Sequence, residues 1–462
     1  MALHRRQRTA LAARLCMKWQ DFCRNHLAAK VFFLLPKKET GLILALILCV
    51  VTYALMIALP KFRPYIALGS AALFVILGIL PLGEVFAAVN WNVLLMLFGT
   101  MGTVSFFIAS KMPNRLADLL LQKASSAQWA AVILSLFAGI VSAFMDNVAT
   151  VLMIAPVGLA IAQKLKISPV PLLICISVSS NLQGAATLVG DTTSILLGGY
   201  ADMTFTDFIW MQGRPGIFWA VELGALATIP VILWIFRREK APISATEKTP
   251  VTDYFPTVLL LLNLALLIGA SFLPNKPEIL NGLICTGIFV IGLVRSLIRE
   301  KGLSGVRRAF SEIDYETLLL LAGLFIVIAG ISRAGVIGEI SKLFVRIGGS
   351  SVFVMYSLIT WGSVLFSAFI DNIPYVATML PVTASIAQII GCPPLLLFFG
   401  LLSGATLGGN LTPIGASANI ATIGILRKAG FEVKTRDFMR IGVPFTLIAV
   451  LAGYLFIWFV WA

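Results

Sequence analysis

Long apolar runs separated by short polar connectors set the pattern of this chain. Uninterrupted blocks of 18 residues or more cover 41–59, 66–83 and 441–461. Eighteen to twenty helical residues rise about 30 Å, enough to cross the hydrocarbon core of a bilayer. The pattern predicts spans at 41–59, 66–83 and 91–110. A shorter amphipathic segment at 112–124, with Lys111, Arg115 and Lys123 on its polar side, is expected to lie along the interface. An apolar stretch at 128–163 follows, interrupted in its middle by Asp146 and Asn147. Residues 170–200 are apolar but broken by a polar, glycine-rich segment, and 215–236 is a further clean span. Residues 237–253 are polar, contain Pro242 and Pro250, and read as a linker. The order then repeats: spans at 254–272, 279–298 and 315–332, an amphipathic piece at 335–347, an interrupted stretch at 351–390, a glycine-broken stretch at 394–426 and a last span at 441–461.

The repetition extends to single residues. The sequence S-A-F-M-D-N-V at 142–148 matches S-A-F-I-D-N-I at 367–373, an offset of 225. The same offset aligns Pro156 with Pro381, Gln163 with Gln388, Gly184 with Gly409, Thr187 with Thr412 and Gly190 with Gly415, with no gap. Shared apolarity could match the apolar positions by chance, but not the polar ones in register. The chain is a duplication, with a first repeat at 41–236 and a second at 254–462.

Composition fixes the solvent. Of 462 residues, 59% are hydrophobic and 12% charged, about half the charge of an ordinary soluble domain. The net charge of +14 does not point to nucleic acid, because Lys and Arg collect in short connectors, as in the cytoplasmic loops of membrane proteins. The bilayer is therefore the expected partner, and a cell membrane the expected location. Cys16, Cys23, Cys49, Cys175, Cys285 and Cys392 are scattered without a C-x-x-C pair and read as small apolar residues. His4 and His26 both lie in the basic arm at 1–40, which excludes a histidine relay inside the membrane. No G-x-x-x-x-G-K-[ST] loop is present, which argues against ATP as the energy source.

Loop charge gives an orientation. The connectors around 61–63, 111–123, 237–248, 295–308 and 427–440 are basic, whereas 84–90 and 199–213 are neutral or acidic. Placing the basic set in the cytoplasm makes the first half run opposite to the second, the plan of transporters built from inverted repeats. It also leaves the arm outside, unless residues 27–35 hold another membrane element.

An ionised Asp in the middle of a membrane costs a few kcal/mol or more, so it persists only if paired, hydrated or functional. Asp146 and Asp371 each sit halfway along a stretch long enough for two short helices joined by a turn, a re-entrant hairpin with its tip near the midplane. Capping of the second hairpin helix is the plain alternative role for Asp146-Asn147 and Asp371-Asn372. The second polar element is the broken span. In the first half it carries Asn181, Gly184, Thr187, Gly190 and Asp191, and in the second Gly409, Asn410, Thr412, Gly415, Ser417 and Asn419. Glycine lets the backbone unwind and approach closely, and Ser, Thr and Asn oxygens with freed carbonyls are hard ligands suited to sodium. Close packing through small residues would not call for Asp191, Asn410 or Pro413. Glu222 and Arg333, near the ends of their spans, read as structural.

The S-A-F-[MI]-D-N-[VI] hairpin followed by S-N-x-x-G-x-A-T-L-x-G-D resembles the ion transporter superfamily of permeases. The resemblance runs from about residue 41 to the carboxyl end. It is strongest to the branch of NhaD-type sodium/proton antiporters, arsenite permeases and the melanosomal P protein, with citrate permeases and sodium/dicarboxylate symporters more distant. It implies an all-α polytopic membrane protein of two inverted-topology repeats, with 10–11 transmembrane helices, two re-entrant hairpins (128–163 and 351–390) and two broken helices (170–200 and 394–426). By that resemblance Asp146, Asn147 and Thr150 join Gly184, Thr187 and Gly190 in one ion site. Asp371 and Asn372 join Gly409, Asn410, Thr412 and Gly415 in the other. Sodium would sit at Asp146-Asn147 and Asp371-Asn372. Dicarboxylate symporters carry Ser-Asn-Thr at each tip, whereas here the serine position is Asp in both. Two unit charges about 4 Å apart interact by roughly 4 kcal/mol at an effective dielectric of about 20, so bare carboxylates there oppose a dianion. The antiporter branch also has a G-D-P-P-N run, replaced here by G-D-T-T-S at 190–194.

The expected function is secondary active transport of a small ion by alternating access, coupled to protons or sodium, with no other cofactor. Cation/proton antiport comes first. A coupled permease for an oxyanion or organic anion (arsenite, citrate or dicarboxylate) is second. An ion channel and an intramembrane aspartyl protease are remote, since the glycine-rich repeats have no role in proteolysis. A homodimer is one assembly open to such a protein.

Overall fold

The computed structural model describes residues 37–165, 167–241, 249–300 and 302–462. Most of the basic arm, including residues 27–35, lies outside the described residues, as does the middle of the linker. The first half comprises α1 (Lys37–Ala58), α2 (Arg63–Ile76), α3 (Trp91–Ala109), α4 (Met112–Leu121), α5 (Ala127–Ser142), α6 (Asn147–Leu165), α7 (Pro169–Gly184), α8 (Thr192–Tyr200) and α9 (Ile217–Ile235). The second comprises α10 (Phe255–Ser271), α11 (Leu280–Glu300), α12 (Ser304–Ser311), α13 (Tyr315–Arg333), α14 (Val336–Gly348), α15 (Val352–Ser367), α16 (Asn372–Ile390), α17 (Pro394–Gly408), α18 (Ser417–Lys428) and α19 (Thr435–Trp461). Among the described residues, nine helices are long and apolar enough to cross a membrane.

The helix signals of the two halves are the same signals used twice. Ser126 caps α5 by accepting from the Trp129 N–H, and Ser351 caps α15 by accepting from the Val354 N–H. Pro169 opens α7 and Pro394 opens α17, the position where a missing N–H costs nothing. Sharp corners at Lys111 and Gly335, both with positive φ, turn α3 into α4 and α13 into α14. The helices α14 and α15 then meet at 114°.

Three local features depart from the sequence expectation. The span expected at 66–83 begins at Arg63 and stops at Ile76, because Gly78 turns at φ +72 while the Ile79 and Leu80 N–H groups both bond the Phe74 carbonyl. The connector at 199–213 runs into a two-residue antiparallel hairpin, β1 (Trp210–Met211) and β2 (Arg214–Pro215). Its turn uses Gln212 and Gly213, both with positive φ, the geometry that suits strand twist. The connector after α11 holds α12, whose Phe310 packs with Phe98 and Phe289.

The interior is largely apolar, but the outside is apolar as well. Large apolar side chains such as Ile47, Val50, Leu261, Val294 and Ile298 are exposed, as expected where lipid is the solvent. The centre holds buried polar groups, among them Ser180, Asn181, Thr193, Thr406 and Asn410. Ser180 and Asn181 lie on α7, Thr406 on α17, Thr193 on α8 and Asn410 in the turn after α17; α7 and α17 form the innermost layer, with 89% of the apolar window Pro394–Leu411 buried. Around them the halves interlock. The helix α2 packs along α13 and α11 along α3, while α9 crosses α19. Gly323 meets the backbone of Ala67, and Gly99 meets that of Cys285, so each crossing is tight enough to need the missing side chain.

Candidate functional site

Each half brings a hairpin turn against a broken helix by the same bonds. Residues 143–146 link α5 to α6, and 368–371 link α15 to α16. The Thr187 hydroxyl donates to the Ala143 carbonyl in the first half, and the Thr412 hydroxyl to the Ala368 carbonyl in the second. The carbonyl oxygens of Gly184, Ser142 and Ala143 lie 2.5, 2.7 and 2.8 Å from where a side chain on Gly190 would begin. Those of Gly409, Ser367 and Ala368 lie 2.7–2.9 Å from the matching point on Gly415. Glycine is therefore required there, and each tip carries a collar of carbonyls. Beside each collar is a buried serine hydroxyl, Ser142 and Ser367, without a hydrogen-bond partner among the described residues.

The aspartates do cap helices. Asp146 Oδ2 accepts from the Val148 and Ala149 N–H groups at 2.9 and 3.0 Å, and the Thr150 hydroxyl bonds the Asp146 carbonyl at 3.0 Å. Asp371 accepts from the Ile373 N–H at 3.2 Å. Beyond that the two tips differ. Asp371 Oδ2 is 2.6 Å from Arg63 Nη1, with both side chains largely buried. Asp146 instead lines a cavity of about 200 Å³ with Asp191, Glu312 and Asp314. Among the described residues no Lys, Arg or His lines that cavity. The carboxylates are spread around it; among the described residues no three His, Cys, Asp or Glu gather as metal ligands.

Between the tips a buried amide network crosses from one half to the other. Asn147 donates to Asn181 at 2.8 Å, and Asn181 donates to the Thr406 carbonyl and to Asn410 at 2.8 and 3.0 Å. Asn410 closes the network on the Val178 carbonyl. Asn419 donates to the Gly409 and Thr412 carbonyls and accepts from Ser177. Asp191 caps α8 through the Thr192 N–H and accepts from Thr193, whose hydroxyl lies 3.1 Å from that of Thr406. Asn147, Asn181 and Asn410 are thus joined directly, Asp191 reaches them through Thr193 and Thr406, and Asn419 forms a separate link between Ser177 and the Gly409 and Thr412 carbonyls. Asn372 is buried at the start of α16, while Ser417 is exposed at the start of α18. Thr150 is engaged in the helix cap.

The family resemblance groups Asn410 with the second tip; its side chain bonds Asn181 and the Val178 carbonyl of the first half. The structure adds Arg63, Ser142, Ser367, Thr193 and Thr406 to the surroundings of the tips. The two serines carried a signal, as the first residue of each copy of the duplicated motif. Arg63 carried none, because its partner is 308 residues away. Glu222 accepts both bonds of a buried Gln183 amide, and Arg333 pairs with Glu84 at the surface.

With this geometry in hand, similarity to known proteins is informative. The sequence profile of the citrate transporter family matches residues 53–402. An uncharacterized transporter of Mycobacterium tuberculosis is 30% identical over 431 residues, covering 90% of this chain and 98% of that protein. The human P protein is 24% identical over 497 residues, covering 90% of this chain and 59% of that protein. Among solved structures, the YdaH transporter of Alcanivorax borkumensis aligns with a TM-score of 0.55 at 14% identity, over 87% of this chain and 97% of that one. MtrF of Neisseria gonorrhoeae aligns at 0.51 and 16%, over 82% and 81%. At these identities the structural likeness is one of fold.

Proposed function

This chain belongs to the citrate transporter family, and from that premise we propose that it exchanges a cation for protons across the cell membrane by alternating access. It is a multi-pass membrane transporter and not an enzyme. The observation that carries the cation reading is the cavity at the first hairpin tip. Among the described residues four carboxylates and no basic side chain line it, so it favours cations over anions. Asp146 is held there by two backbone N–H groups. A carboxylate so placed takes up either a proton or a metal cation, and the two compete, which is the basis of antiport.

The coupling ion is a proton or sodium. Sodium asks for hard oxygen ligands, and at the first tip the Ser142 hydroxyl, without a partner among the described residues, shares the turn with the carboxylate of Asp146 and the carbonyls of Ser142 and Ala143. A buried polar atom without a partner requires an explanation, and a small cation at the first tip provides one. With halves of opposite orientation, the two tips face opposite sides of the membrane and alternate access follows.

The family description favours a second reading, a coupled permease for an organic anion such as citrate. An anion approaching the first tip needs a bound cation to offset its carboxylates. Reconstitution in liposomes with an internal pH dye separates the two. Sodium added outside is expected to drive proton flux, and Asp146→Asn to abolish it. Uptake of labelled citrate with no sodium-dependent proton flux would replace antiport by the permease reading.

A further inference from the structure

We propose that Arg63 is a built-in counter-cation at the second hairpin tip, so that the duplicated tips are not equivalent and only the first takes up a free ion. The inference rests on the reading of the tips as ion sites given above. The halves repeat the tip residue for residue: the aspartate, the asparagine, the buried serine and the carbonyl collar. They differ in what faces the carboxylate. At the first tip it is a cavity that, among the described residues, has no basic side chain. At the second it is a guanidinium 2.6 Å away.

The guanidinium is held in place by more than its charge. Arg63 Nε donates to the Met56 carbonyl at 3.2 Å, which ties the start of α2 back to the end of α1. One turn earlier on α1, the Tyr53 hydroxyl donates to the Pro374 carbonyl at 3.2 Å and contacts the Thr378 hydroxyl. The corner of α1 and α2 thus clasps the first turns of α16 at Asp371, Pro374 and Thr378. No matching clasp is seen on α6 among the described residues.

A charge-assisted pair of this length neutralises the carboxylate. Adding a second cation beside Arg63 would leave one positive charge uncompensated in a buried place, which is strongly unfavourable. A free cation can therefore occupy the second tip only by displacing Arg63 and opening the clasp. While the clasp is closed, the transporter carries one coupling ion, at the first tip, where the repeat by itself would imply two.

The number of ions linked to the folded state is read from the dependence of the unfolding midpoint on cation concentration. The series is run over sodium and over pH with purified protein, so either coupling ion registers. The wild type is expected to show the slope of one ion, Arg63→Gln about twice that slope, and the double variant Arg63→Gln with Asp371→Asn the slope of one again. Arg63→Lys keeps the charge and keeps the single slope. A slope that disappears in Asp146→Asn but is unchanged in Arg63→Gln overturns the role of Arg63 alone. A slope that survives in Asp146→Asn overturns the ion-site reading itself, and this inference with it. Independently, Arg63→Gln and Asp371→Asn should each lower the midpoint, and the double variant should recover part of the loss. Plain additivity overturns the pair.

Discussion

At the scale of residues, the site is made by close approach of backbone as much as by side chains. Gly190 and Gly415 sit where three carbonyl oxygens converge, and backbone cannot yield as the end of a flexible side chain can. Alanine at either position is expected to destabilise by about 1–3 kcal/mol, measured by thermal unfolding in detergent. Alanine at Gly269, which has nothing within 4 Å, should be neutral or stabilising. Asn181 is the hub between the halves. Its replacement by Ala leaves the Asn147 amide, the Asn410 oxygen and the Thr406 carbonyl each short of a bond. At about 1–3 kcal/mol for a buried unpaired group, a loss near 3 kcal/mol is expected. Asn181→Asp keeps the shape but sets an acceptor oxygen against the Thr406 carbonyl and the Asn410 oxygen in a buried place, and should lose at least as much as Asn181→Ala.

At the scale of elements, the ends of the linker are fixed by specific bonds. Ala127 and Gln128 N–H groups bond the Ala241 and Glu239 carbonyls on the near side. On the far side the Thr249 N–H and hydroxyl bond Asp118, and Thr252 bonds the Ser110 carbonyl. Asp253 then receives both Arg295 and Arg299 from the end of α11, with Arg295 lying over the Phe255 ring at 4.0 Å. Burial pushes the Asp253 carboxyl up, but the bonds from Arg295 and the Phe255 N–H and the charges of Arg295 and Arg299 outweigh it, holding it below the usual carboxylate range. A group depressed in the folded state adds stability above its unfolded value, and that stability is lost as pH falls through the folded value. Asp253→Asn should therefore unfold earlier than the wild type at pH 6–7, and the gap should close below about pH 4, near the ordinary Asp value. The unfolding midpoint of both proteins across this range checks it.

At the scale of the whole molecule, the halves are interlaced rather than set side by side. Each gives a helix to the packing of the other, α2 to α13 and α11 to α3, and the amide network joins their centres. The tight crossings at Gly323 on Ala67 and at Gly99 on Cys285 each need both halves. A protease site placed between residues 241 and 249 is thus expected to yield two fragments that migrate together through size exclusion in mild detergent. Fragments that separate would show that the linker, not the packing, holds the halves.

The sequence by itself determined the membrane class, the positions of most helices and the duplication. Those follow from local quantities: run length of apolar residues, caps, prolines and the register of polar positions. It also located both aspartates and the glycines of the broken helices, because polar residues in an apolar run stand out one by one. What lay beyond it were contacts between distant positions. The Arg63 to Asp371 pair, the bridge from Asn181 to Asn410 and the opening of Asp146 onto Glu312 and Asp314 join segments hundreds of residues apart in two of the three cases. Two motifs with the same polar residues predict two equivalent sites. Only the tertiary structure decided that one faces a carboxylate-lined cavity and the other an arginine, because a repeat fixes what a segment is, whereas packing fixes what it meets.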